Sequence, residues 1–221
     1  MIRFRSRGLP AFAAGVLVAL VSTVGSARLA SAQDVHLLVV TGVSGDEEHA
    51  ALFTKWAGAV VDAAKKQGVL DANVAWYAEA TGTDPRIKGR ASRDGITQAF
   101  ADMAGRAKPN DEVFVLLLGH GSFDGKMGAF NLPGPDLTAA DYATLLQRFP
   151  TQKITFVNTA SSSGAFLQPL AGPARTIVTA TRTGGERNET RFPEFFIEAL
   201  AGGEGADRDR NGRVSVQEAF D

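Results

Sequence analysis

Residues 113–122 read Val-Phe-Val-Leu-Leu-Leu-Gly-His-Gly-Ser, and this stretch decides the fold. An apolar run this short, closed by glycine, suits a strand covered on both faces, whereas a helix of ordinary length would need more residues. Four more runs of the same kind occupy 35–40, 74–78, 154–157 and 176–180. Between them the apolar residues change to a helical period. Leu52, Phe53, Trp56 and Val60 share one face, Ile96, Phe100 and Met103 a second, and Tyr142, Leu145 and Phe149 a third. Thr138 followed by Asp141 reads as an N-terminal cap, and a last helix carries Phe192, Phe195, Phe196, Ala199 and Leu200. These aromatics are expected in the core. Strands alternating with helices predict an α/β protein, a three-layer α/β/α sandwich around a mostly parallel sheet.

Composition narrows the function classes. The 221 residues are 44% hydrophobic and include no cysteine, which excludes a disulfide framework, a zinc ribbon, an iron–sulfur centre and thiol chemistry. The first 32 residues hold four arginines and no acid. They read as a signal peptide: a basic start, an apolar run over 11–21, then Ala30-Ser31-Ala32 as a cleavage site. That run is about half of the roughly 20 residues a membrane span requires. The sequence therefore predicts an exported protein, periplasmic or secreted, with no stable membrane anchor after cleavage. The remainder carries 19 basic against 24 acidic side chains, a net of about −5 that argues against nucleic acid as a partner.

In a parallel sheet, ligands bind beyond the carboxyl ends of the strands. His120, one of three histidines, follows the strand at 113–118 between Gly119 and Gly121. The strand at 154–157 runs into Asn158-Thr159-Ala160-Ser161-Ser162-Ser163-Gly164, whose serines serve either as caps for backbone N–H groups or as a nucleophile facing His120. The nucleophile elbow of α/β-hydrolases is excluded by chain order, because there the histidine follows the serine, and His36, His49 and His120 all precede it.

The ordered set Gly119-His120-Gly121-Ser122, then Ala160-Ser161-Ser162-Ser163-Gly164, then Thr179-Ala180-Thr181-Arg182-Thr183-Gly184-Gly185-Glu186 resembles the caspase-like cysteine peptidases, most closely the legumain-type branch in its bacterial exported form. The resemblance runs from about Val35 to Leu200. It implies a caspase-like fold, His120 as the catalytic histidine, the Gly121 N–H as an oxyanion donor, and Ser161 where the family has its nucleophilic cysteine. It also implies that the loop with Arg182, Glu186 and Arg187 helps to build the substrate pocket. A thiol ionises readily beside an imidazole, but a serine hydroxyl needs a base oriented by a third group. Asp111 and Asp124 are the nearest carboxylates in sequence, and neither is placed by the sequence. The expectation is a catalytically silent peptidase homologue that binds a polypeptide or protein ligand in the cleft at the strand ends. The alternative is a hydrolase using a Ser161–His120 dyad.

The end of the chain carries a second motif. Asp207, Asp209, Asn211, Arg213 (through its carbonyl), Ser215 and Glu218 fall at the first, third, fifth, seventh, ninth and twelfth places of an EF-hand loop, with Gly212 at the sixth. Six oxygen donors of this kind suit Ca2+. Gly202, Gly203 and Gly205 separate this loop from the preceding helix, and the sequence stops three residues after Glu218, too soon for an exit helix to be expected; a longer parent protein is the expectation. The predicted organisation is a signal peptide at 1–32, an α/β domain at 33–201 and a calcium loop at 202–221. Lys65, Lys66, Arg86, Lys88, Arg90 and Arg93 read as a solvated basic face, and Asn188-Glu189-Thr190 fits a glycosylation sequon.

Overall fold

A computed structural model describes residues 33–221, so the signal-peptide expectation lies outside the described residues. The run at 113–118 becomes β4 (Glu112–Leu118), the centre of a six-stranded sheet. β1 (Val35–Thr41) and β8 (Lys153–Asn158) flank it, both parallel, with Leu38 opposite Val115 and Val115 opposite Phe156. The sheet continues through β2 (Val74–Ala78) to β3 (Ile87–Arg90) on one side and to β9 (Arg175–Thr179) on the other. In the order β3-β2-β1-β4-β8-β9 the chain grows outward from β1 in one direction, then returns to β4 and grows in the other. The β1/β4 boundary is therefore a switch point, where the connections leave the sheet on opposite sides and open a crevice.

Strand residues alternate between two packed faces, which explains why the strands read as unbroken apolar runs. Leu37, Val39, Leu116 and Leu118 pack towards α1 (Glu47–Lys66) and α5 (Phe192–Leu200). Leu38, Val40, Val115 and Leu117 pack towards α2 (Arg93–Arg106), α3 (Ala139–Leu146) and the short α4 (Leu167–Leu170). Burying such a side chain contributes about 1.5–3 kcal/mol, so the central strands anchor both layers. Thr138 caps α3 in a reciprocal capping box with Asp141. The Arg93 guanidinium, bonded to Asp141 at 3.0 Å, holds that carboxyl at about 2.

Several features depart from the sequence expectations. A small antiparallel sheet, β5 (Gly121–Phe123), β6 (Gly128–Phe130) and β7 (Leu137–Thr138), follows His120 directly. Phe195 is 56% exposed rather than in the core, because it projects to the solvent side of α5, where the Arg191 guanidinium covers its ring at 5.0 Å. Arg86 is not merely solvated; it pairs with Asp62 and Asp84 and lies 5.6 Å from the Trp76 ring.

At the C-terminus a five-residue helix, α6 (Val216–Phe220), does form. Ser215 caps it, and Val214 and Ala219 join the core layer under Phe196 and Ile197. Gln33–Asp221 make one compact unit that includes this loop. Among the described residues, no helix is long and apolar enough to cross a membrane.

Candidate functional site

The switch point places two strand ends side by side. His120 follows β4, and the loop after β1 carries Ser44, whose carbonyl oxygen lies 3.1 Å from His120 Nε2. A carbonyl only accepts, so the proton sits on Nε2 and the basic lone pair is left on Nδ1. The group that orients the His120 ring is thus a backbone carbonyl rather than a carboxylate. Ser44 is itself fixed, because its N–H and hydroxyl both donate to Glu79, at 2.9 and 2.7 Å. Asp111 lies at the other end of β4, where it accepts from His36, and Asp124 accepts from Lys126 and Met127 within the β5–β6 turn.

Ser161 lies just beyond β8 and is buried. Its Oγ accepts from the Gly121 N–H at 3.3 Å and donates to the Gly121 carbonyl at 3.1 Å. Both the hydroxyl and the N–H expected to stabilise an oxyanion are thus engaged with each other. The approach is close enough that a side chain at 121 would strike the Ser161 carbonyl oxygen, so glycine is required there. His120 and Ser161 nevertheless line one shallow depression, with Phe53, Trp56, Glu189 and Thr190 around it.

The other serines of the turn serve structure. Ser162 takes a left-handed backbone (φ 58°), and its N–H donates to the Glu186 carbonyl at 2.7 Å. Ser163 Oγ accepts from the N–H groups of Ala180 and Thr181, both at 3.1 Å. Glu186 folds back onto the N–H groups of Arg182 and Thr183, which closes the loop after β9. Thr190 Oγ1 donates to the Thr159 carbonyl, tying that loop to the serine turn.

Sequence reasoning missed four groups here. They are Ser44, Asp46, His49 and Glu189, and only Asp46 carried a local signal, as the N-cap of α1. The His49 ring meets His120 edge-on, with centroids 5.2 Å apart.

In the C-terminal loop, Asp207, Asp209 and Glu218 bring carboxylate oxygens within 4.8 Å of one another, a group able to hold a metal ion. Gly212 takes a positive φ of 85°, which turns the loop back on Asp207. The Ser215 N–H and hydroxyl, together with the Arg208 and Asp209 N–H groups, hold the Glu218 carboxyl at about 2. Asn211 and Ser215 are turned to the loop's own carboxylates: Asn211 Nδ2 donates to Asp209 and Ser215 Oγ to Glu218, each at 2.8 Å. The all-oxygen donor set fits a hard cation. No known protein family and no curated protein matches the chain.

Proposed function

We propose that the mature chain is an exported, catalytically silent homologue of the caspase-like, legumain-type peptidases, in which the cleft at the strand ends binds a polypeptide or protein ligand. One observation carries the reading: the Ser161 hydroxyl is bonded in both directions to the Gly121 backbone and makes no hydrogen bond to His120. A nucleophilic serine must pass its proton to a base as it attacks, and the resulting oxyanion needs free N–H donors. Here the proton points at a carbonyl and the donor is taken. The sheet order and the placement of His120 and Ser161 on neighbouring strand ends support the likeness to the peptidase scaffold. A fluorophosphonate probe tests the chemistry. The folded protein is expected to remain unlabelled at Ser161, and a stoichiometric adduct there would favour a Ser161–His120 hydrolase, which the shared depression otherwise allows.

The C-terminal loop is read as a Ca2+ site built on Asp207, Asp209 and Glu218, with Asn211, the Arg213 carbonyl and Ser215 completing the shell. Bound there, Ca2+ would supply structural cross-linking, fastening the loop whose Val214 and Ala219 pack beneath α5. Calorimetric titration with CaCl2 should give heat for the wild type and little for Glu218→Gln. Equal heats in the two proteins would remove the site.

A further inference from the structure

His49 stands in the first turn of α1 with both ring nitrogens committed. Nδ1 lies 2.8 Å from each carboxylate oxygen of Asp46, and Nε2 lies 3.1 Å from Oε1 of Glu189 on the loop between β9 and α5. An ionised carboxylate accepts but cannot donate. A neutral imidazole has one N–H, so a ring that donates to carboxylates on both sides is the imidazolium. We infer that His49 is an acid-fastened latch: as the imidazolium it straps the β9–α5 loop to the start of α1 beside the His120–Ser161 depression, and on losing its proton it lets that mouth open.

The position of the strap supports this role. On its serine-turn side the loop is held by bonds that do not titrate near neutrality, Thr190 to the Thr159 carbonyl at 2.9 Å and the Ser162 N–H to the Glu186 carbonyl at 2.7 Å. On its α1 side, the Glu189–His49 bond spans 140 residues of sequence and does titrate. The other charges nearby are either occupied or of the sign that favours the cation. Arg187 donates to the Phe123 carbonyl and Arg191 pairs with Glu194, so neither arginine takes Glu189. Glu186 is held by the N–H groups of Arg182 and Thr183, and Glu79 by Ser44. Glu47 and Glu48 share the first turn of α1 with His49 and oppose the positive end of the helix dipole. His120 presents its ring edge-on and Phe53 packs 5.9 Å away.

The direction of the switch follows from the charges. The hydrogen bond to Asp46, with that to Glu189, raises His49 above the ordinary imidazole value, and the His49 N–H and ring hold Asp46 below the usual carboxylate range. The latch is therefore fully closed below the ordinary imidazole value and is lost as pH rises through the raised one.

Hydrogen exchange of the full chain, followed by mass spectrometry over residues 183–191 and corrected for intrinsic rates, tests the inference. Protection of this segment in the wild type should fall about threefold to fivefold between pH 6 and pH 9, a size set by exposed charge pairs. Glu189→Gln and His49→Gln should each show the unlatched exchange at both pH values. Glu189 is 60% exposed, so its variant is expected to fold and keeps the test decisive if His49→Gln does not. A wild type with no pH step, or variants that retain the same step, would overturn the latch.

Discussion

Replacing Ser161 with alanine removes one oxygen atom, and the structure says what that atom does. Its Oγ accepts a hydrogen bond from Gly121 at 3.3 Å and returns one at 3.1 Å, in a residue only 7% exposed. A net intramolecular hydrogen bond contributes about 0.5–1.5 kcal/mol, and a buried group left without a partner costs more. The 3.3 Å bond is long and Gly121 is partly exposed, so water can recover some of the loss. Together these place Ser161→Ala about 1–2 kcal/mol below the wild type. For a chain of this size that is a fall in Tm of about 3–6 °C. Urea unfolding at neutral pH measures it directly, with an unchanged m-value showing that the fold is retained. A loss below about 0.3 kcal/mol would mean that the hydroxyl is not bonded to Gly121 in solution and would refute the reasoning that disarms it.

Other perturbations have defined outcomes. Asp141 is held at about 2, chiefly by Arg93, so the stability it contributes is present above the ordinary carboxylate value and is lost as pH falls through about 2. Asp141→Asn should cost about 1 kcal/mol at pH 7, given its partial exposure, and flatten the acid limb of the stability curve measured by urea unfolding. Phe196→Ala, at a site 1% exposed and stacked on Phe192 at 5.0 Å, should cost about 3–5 kcal/mol in the same assay.

The parts legible in the sequence share a physical cause. β1, β4 and β8 are buried on both faces, so their apolar runs stand out, and the Thr138–Asp141 cap is a local pattern that needs no tertiary information. β3 was invisible because an edge strand reading Ile-Lys-Gly-Arg pairs on one side only and keeps its alternate side chains exposed. The β5–β7 sheet was hidden for a similar reason, since strands of two or three residues carry no period. At the site, His120, Gly121 and Ser161 could be found because strand ends are where side chains converge. The Ser44 carbonyl could not, because every residue has one and only the fold aims it. His49 and Glu189 meet across 140 residues, and no local spacing announces such a pair. In the C-terminal loop the three carboxylates do gather as their spacing suggests, while Asn211 and Ser215 bond to the loop's own carboxylates, a choice of rotamer that spacing does not encode.

On the proposed reading, a peptidase-like cleft has been kept without a working nucleophile. The most direct measurement is hydrolysis of a mixed peptide library by pure wild type, Ser161→Ala and Ser161→Cys, each shown to be folded. Turnover in Ser161→Cys, with wild type and Ser161→Ala equally silent, is the predicted result. Steady turnover by the wild type that Ser161→Ala abolishes would contradict the account and make the protein a serine hydrolase.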